Sequence, residues 1–107
     1  MNFFYGAWNH SKMKEYGLGK PNAQKWTKGE VGIPTPEDHK VFKTYSMGHS
    51  VLVVGFDSEK KVYFFKNSWG KTGFGAQSNL LGPRSTPGYG TIPFDYAHTH
   101  GMFYRIY

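Results

Sequence analysis

The chain has 107 residues, no cysteine and a formal net charge of +6 at neutral pH. This length suits a single domain and allows burial of about two thirds of the surface that the unfolded chain exposes. Without cysteine there are no disulfides, and cysteine usage gives no indication of the compartment. The sequence has no apolar run of about 18 residues, so no transmembrane helix is expected. Residues 2–8 lack the basic start and long apolar stretch of a signal peptide.

The thirteen basic residues are spread along the chain, and no run of them exceeds two. This spacing is typical of a solvated surface, and neither a nucleic-acid site nor a membrane surface is expected. Aromatic residues make up 19% of the chain, which also has 14 glycines. That combination favours a small twisted β structure over a helical bundle.

The first half of the chain gives weak structural signals. Residues 2–8 (NFFYGAW) are typical of a strand, and residues 11–16 (SKMKEY) could form one helical turn that ends at Gly17. Residues 17–43 are rich in Gly, Pro and Lys, and prolines at 34 and 36 disfavour a central strand there. We therefore expect a long loop with short extended pieces.

The second half begins with a hairpin pattern. The apolar run 51–56 (VLVVGF) is followed by the polar turn 57–60 and by a second apolar run, 62–65 (VYFF). Such runs predict two antiparallel strands. Both alternating faces of the first run are apolar, which predicts a strand buried inside a barrel. A long irregular loop over 70–87 and final strands over 89–94 and 102–107 complete the prediction.

Two polar residues flank this hairpin at equal distances from its turn. His49 lies nine residues before Ser58, and Asn67 lies nine residues after it. Residues equidistant from a hairpin turn face each other, with Cβ atoms about 4.5–5.5 Å apart. The sequence therefore predicts that the His49 imidazole meets the Asn67 carboxamide, whereas a shift of one residue would place Ser68 opposite His49.

An asparagine beside a histidine has a chemical use. Its amide oxygen can accept a hydrogen bond from one ring N–H and so fix the tautomer, which leaves the other ring nitrogen to exchange a proton with a nucleophile. The alternative interpretation is a satisfied polar pair at a sheet edge.

Three ordered segments give the chain a family resemblance. Residues 48–56 (GHSVLVVGF) resemble the segment that carries the catalytic histidine of papain-like cysteine peptidases, and residues 66–70 (KNSWG) resemble their Asn-Ser-Trp-Gly segment. Residues 88–96 (GYGTIPFDY) are similar to the closing barrel strand of bacterial members. The resemblance implies that His49 is the catalytic base, that Asn67 orients it and that Trp69 shields the pair, with Gly48 and Ser68 in supporting positions.

The resemblance also implies a fold class. The whole chain, residues 1–107, would be one mainly β domain with little helix, a small antiparallel β-barrel like the right-hand lobe of these peptidases. The family's cysteine nucleophile lies roughly 130–150 residues before the histidine and asparagine, and only 48 residues precede His49 here. Neither the cysteine-bearing helix nor the glutamine of the oxyanion hole has a counterpart. The family's second Trp-Gly is replaced by residues 74–75 (FG), one position later than usual.

Two functions remain open. The chain could supply His49 and Asn67 to a peptidase completed by a helical, Cys- and Gln-bearing lobe from the same precursor or a separate chain, acting on a peptide or protein substrate. It could instead be a protein-binding module without catalysis. The expected partner lobe implies exposed apolar area around His49 and Trp69, and with it a tendency to self-associate.

Other candidate sites are weaker. His98 and His100 alternate, and His10 and His39 could join them on a metal, but no cysteine and no acidic cluster other than Asp95 supports a site. The glycines around Phe74 and Tyr89 do not open a helix, so tight turns are expected there instead of phosphate loops. We expect neither a metal nor a cofactor.

Overall fold

A computed structural model of the chain describes residues 1–78 and 86–103. It has three α-helices, α1 (Ala23–Lys28), α2 (Pro36–Thr44) and α3 (Phe94–His100), and a 3-10 turn at Ser11–Met13. Its three strands are β1 (Leu52–Asp57), β2 (Val62–Lys66) and β3 (Tyr89–Pro93), which form one antiparallel sheet in the order β1-β2-β3. Within the described ranges this sheet does not close, so the structure supports a small β-sheet domain but not the barrel.

The β1–β2 hairpin is confirmed, but its register differs from the symmetric one. The Oδ1 atom of Asp57 accepts hydrogen bonds from the backbone N–H groups of Glu59 and Lys60, which fixes the turn. Asp57 pairs with Val62 at the turn. A bulge between residues 53 and 55 then shifts the register by one residue.

The prediction that β1 is buried was wrong. Leu52 is 48% exposed, Val54 42% and Phe56 67%. Side chains of a strand point to the two faces of the sheet, and β1 packs chiefly against its neighbour β2, so its faces are left largely uncovered at the edge of the sheet. The apolar pattern over 51–56 therefore marks an uncovered edge instead of a strand inside a barrel.

The core of the molecule is mainly aromatic. Phe65 of β2 and Ile92 of β3 are almost fully buried. They belong to one cluster with residues from the N-terminal segment, the 3-10 turn, the segment after α1, the 74–75 turn and α3: Phe3, Phe4, Tyr5, Ala7, Trp8, Met13, Val31, Phe74, Tyr96 and Ala97.

The predicted strand over residues 2–8 was wrong. The segment makes one isolated bridge, Asn2 to Gly48, and then turns over residues 5–9. Its aromatic residues face the core from turns because the Tyr96 hydroxyl holds the backbone there. That hydroxyl accepts from the Phe4 N–H (3.1 Å) and the Trp8 indole N–H (2.9 Å) and donates to the Asn2 carbonyl (2.7 Å).

The predicted long loop over 17–43 contains two helices. Asn22 caps α1 by accepting from the Lys25 N–H, and Gly29 ends it with a positive φ of 76°. Helix α2 begins with a capping box, in which Thr35 and Asp38 each accept from the other's backbone N–H, and has proline at its first position. The expected helical turn after residue 11 is present as the 3-10 turn.

The C-terminal part differs from the prediction after β3. Strand β3 lies within the expected range 89–94, but helix α3 follows it directly, so His98 and His100 lie on a helix. Residues 101–103 have no regular structure, and the rest of the predicted strand 102–107 lies outside the described residues, as do residues 79–85 of the predicted loop 70–87. In the described ranges no helix is long and apolar enough to cross a bilayer.

Candidate functional site

His49 lies just before β1, where the backbone pairs with the first residues of the chain. The His49 N–H donates to the Met1 carbonyl (2.9 Å), and the Phe3 N–H donates to the Met47 carbonyl (2.7 Å). The Met1 nitrogen donates in turn to the His49 carbonyl (2.8 Å). This antiparallel pairing fixes the backbone of His49 from the side opposite to β2.

Asn67 directly follows β2 and is buried, with 6% of its surface exposed. Its backbone N–H donates to the Gly88 carbonyl (3.0 Å), so the turn before β3 holds it in place. The end of β2 therefore positions the asparagine, while the start of β1 positions the histidine.

The two side chains meet as the sequence predicted. The Nε2 atom of His49 lies 2.8 Å from the Oδ1 atom of Asn67. The same oxygen accepts from the Ser68 backbone N–H at 2.9 Å. Because that donor faces the oxygen, the amide cannot turn its NH₂ group toward Ser68, and Nε2 of His49 must be the donor to Asn67. The neutral imidazole therefore carries its proton on Nε2, and Nδ1 has a free lone pair.

The Asn67 side chain has one unusual feature. Its Nδ2 atom is buried and has no hydrogen-bond partner among the described residues. A buried unpaired amide group costs about 1–3 kcal/mol. In spite of that cost, the Asn67 amide keeps the orientation in which its oxygen accepts from both His49 and Ser68.

Aromatic rings enclose the His49 imidazole. Trp69 stacks on it with ring centroids 4.5 Å apart and an angle of 28° between the planes. Trp8 and Phe3 approach it edge-on, with centroids at 5.5 and 6.0 Å. Trp69 itself is 37% exposed, so it covers the histidine and also faces solvent.

This enclosure determines the acidity of the site. Burial lowers the pKa of His49 below its ordinary value, and the hydrogen bond to Asn67 opposes that shift by favouring the protonated ring. A neutral imidazole with a free Nδ1 can take a proton from a donor. The hydrogen bond and the stacked indole then hold the resulting imidazolium in place.

The other two predicted site residues contribute through their backbones. The Ser68 N–H donates to the same Oδ1 atom of Asn67 that accepts from His49, and the Ser68 side chain is exposed. Ser68 therefore does not take the place of Asn67 opposite His49. Gly48 forms the bridge to Asn2, and a Cβ atom added to it would meet only the Met1 carbonyl oxygen, at an ordinary 3.7 Å.

Sequence reasoning missed part of the aromatic enclosure. Trp26 of α1 stacks on Trp69, with centroids 5.8 Å apart and planes 27° from parallel, and its carbonyl accepts from the Gly75 N–H. Phe74 packs against both indoles. The helix caps around residues 22–29 were the signal that could have placed Trp26 on a helix.

Of the remaining histidines, His10 borders the aromatic enclosure, with its ring centroid 6.2 Å from that of Trp69, and the others make separate contacts. His98 pairs with the Tyr63 hydroxyl (2.6 Å), and His39 and His100 lie against Phe4. His10 accepts from the Lys12 N–H. The described residues contain no group of three or more His, Cys, Asp or Glu side chains that could hold a metal ion.

Comparisons with known proteins give no match: no family model, no curated protein and no solved structure is similar to this chain.

Proposed function

We propose that the chain supplies the base and its orienting residue to a papain-like cysteine peptidase whose nucleophile comes from another lobe. His49 is the base and Asn67 its orienting partner. The observation that supports this proposal is the hydrogen bond from Nε2 of His49 to Oδ1 of Asn67, which leaves Nδ1 unprotonated. The sequence resemblance around both residues supports it independently.

The mechanism follows from that protonation state. Nδ1 of His49 takes the proton from a cysteine thiol of the partner lobe, which gives a thiolate–imidazolium pair. The thiolate attacks the peptide carbonyl, and His49 then gives its proton to the leaving amine as the C–N bond breaks and a thioester remains. His49 next takes a proton from a water molecule that attacks the thioester, which releases the acid and returns the thiol. Asn67 holds the ring through these proton transfers, and Trp69 keeps water from the Nε2–Oδ1 hydrogen bond. The glutamine that helps to stabilise the oxyanion comes from the partner lobe.

The complete absence of cysteine favours a second candidate function. A binding module of this fold needs no nucleophile, and the apolar side chains exposed on and near β1 suit a protein partner. In this case the site would serve only to hold the loop after β2 against the start of β1.

A titration with a separate lobe tests the proposal. The chain is mixed with the helical lobe of a papain-like peptidase that carries the cysteine and glutamine, and both association and peptide hydrolysis are measured. We expect association and turnover in the mixture, and neither turnover nor a covalent adduct with thiol-directed inhibitors for the chain alone. Loss of one member of such a catalytic group costs several orders of magnitude in rate.

The variant His49→Ala separates the two functions. It should abolish turnover in the mixture and leave association largely intact, whereas the control His98→Ala, which removes a hydrogen bond to the Tyr63 hydroxyl, should change neither. Association without turnover in the unaltered chain would favour the binding module. A chain that stays monomeric and does not bind the lobe would contradict the peptidase proposal.

A further inference from the structure

Strand β1 presents an uncovered edge. In the described part of the chain it pairs with β2 alone, at the end of the sheet. Leu52 and Val53, which are 48% and 39% exposed, lie on opposite faces of this strand. An exposed apolar edge strand is a template for pairing with a further strand.

The residues just before β1 already pair with another segment along this edge. The Met1–Phe3 segment runs antiparallel to residues 47–49 and is held by three backbone hydrogen bonds of 2.7–2.9 Å. Backbone groups of residues two apart point to the same edge of an extended chain. Val51 and Val53 therefore direct their N–H and C=O groups to the edge that Met47 and His49 use.

A cavity lies beside this edge. Its volume is about 720 Å³, and it lies between residues 49–53 and the end of α3 with the following segment. Most of its lining side chains are apolar, including Val51, Ile92, Ala97 and Met102. A strand added along the edge would direct alternate side chains into it.

We propose that residues 50–53 bind an extended apolar peptide segment that runs antiparallel to β1 and ends beside Met1. The existing pairing sets the register. Because Asn2 faces Gly48, the last residue of the added segment faces Ser50 and its third-last residue faces Leu52. The occupant is recognised by main-chain hydrogen bonds and by apolar side chains at alternate positions.

The same register argues against a second copy of β1 as the occupant. In an antiparallel pairing of residues 50–53 with the same residues of another copy, residues 54–56 of that copy would continue along 47–49. The Met1–Phe3 segment already occupies that position. A segment that ends or turns away before Met1 meets no such conflict.

Amide exchange in the full chain tests the proposal. The probe is the five-residue segment Thr-Val-Thr-Val-Thr joined to the amino end of Met1, and the control is Gly-Ser-Gly-Ser-Gly, since tethering raises the effective concentration of a weak ligand. We expect exchange at Val51 and Val53 to slow by about tenfold or more with the first segment and to stay unchanged with the second. Slow exchange at these amides without any added segment, or no effect of the Thr/Val segment, would overturn the proposal.

A disulfide test checks the register, because the chain has no cysteine of its own. In the Thr/Val-extended chain, Leu52→Cys should form a disulfide with a cysteine placed three residues before Met1, where the Cβ atoms face each other. A cysteine two residues before Met1 lies on the other face and should react much more slowly. Equal reaction at both positions, or concentration-dependent dimers in which β1 pairs with β1, would contradict the proposed pairing.

Discussion

The indole of Trp69 lies almost parallel to the imidazole of His49, with ring centroids 4.5 Å apart. Trp69 follows Asn67 by two residues, so one short segment supplies both the hydrogen-bond acceptor and the aromatic cover of the histidine. The cover has two opposite electrostatic effects. It removes water from the ring, which disfavours the imidazolium, and it offers a π face, which favours the imidazolium.

Removal of the indole separates these effects. Burial is the larger cause of the lowered pKa of His49, so Trp69→Ala should raise that pKa toward the ordinary value of 6.5. NMR titration of the ring carbon-bound protons measures it directly. The control Tyr45→Ala removes an exposed ring that stacks on Tyr16, away from His49, and should leave the pKa unchanged. If the pKa of His49 instead falls in Trp69→Ala, the attraction of the π face for the imidazolium is the larger effect of Trp69, and the exclusion of water is the smaller.

Two substitutions of Asn67 should move the pKa of His49 in opposite directions. Asn67→Ala removes the acceptor that favours the protonated ring, so the pKa should fall further, and Asn67→Asp adds a negative charge beside Nε2, so it should rise. Nitrogen-15 NMR should also show the Nε2–H tautomer in the parent chain and a mixture of tautomers in Asn67→Ala. Ser68→Ala is the matched control because Ser68 contacts Asn67 through its backbone. A mixture of tautomers in the parent chain would contradict the assigned hydrogen bond.

Stability should fall as the pH drops below about 6.5. Burial lowers the pKa of His10, His49 and His100 in the folded chain, so the unfolded chain binds more protons in this range. The free energy of unfolding is therefore highest above the ordinary histidine pKa of 6.5, decreases as the pH falls from there toward the lower pKa values of the folded chain, and levels off below them.

Urea unfolding at pH 7.5, 6.5 and about 5.5 measures this dependence, in a range above the usual carboxylate pKa values. His49→Gln should show a smaller loss of stability between these pH values than the parent chain, because one proton-linked group is gone. A parent chain that is equally stable throughout, or more stable at the lowest pH, would contradict the prediction.

Tyr96→Phe should destabilise the chain by about 2–6 kcal/mol. The Tyr96 hydroxyl accepts two buried N–H groups and donates to one carbonyl, and its removal leaves the indole of Trp8 and the N–H of Phe4 without this acceptor at about 1–3 kcal/mol each. Burial raises the pKa of Tyr96, so the group stays a neutral hydroxyl. The matched control is Tyr63→Phe, which removes an exposed hydrogen bond to His98 and should cost less than about 1 kcal/mol. Equal losses in denaturant titrations of the two variants would contradict the assigned role.

The contact between His49 and Asn67 was predictable from sequence, although the symmetric hairpin from which it was predicted is not the one that forms. Symmetry about Ser58 assumed a regular ladder, whereas the turn is fixed by Asp57 and a bulge between residues 53 and 55 shifts the register. The contact forms beyond the paired strands, where Met1 and Gly88 hold the two backbones. Those tertiary contacts have no local sequence signal.

The larger errors arose where secondary structure was predicted from the composition of a segment. Residues 17–43 were interpreted through their Gly and Pro content, but Asn22, Gly29 and the Thr35–Asp38 capping box are local signals for helix ends that outweigh it. Residues 2–8 have strand-like composition, yet the Tyr96 hydroxyl binds three groups in this segment and holds it in turns. A contact over 94 residues cannot be inferred from a short window of sequence.

That long-range contact also bears on how the chain reaches its native state. The Tyr96 hydroxyl joins residues that are 88 to 94 positions apart, so most of the chain must be closed into a loop before the aromatic core is complete. Closing long loops before their contacts form slows folding. During synthesis the aromatic side chains of residues 3–8 remain without their partner until α3 leaves the ribosome. Until then this segment exposes a cluster of aromatic side chains, which makes it an expected chaperone target.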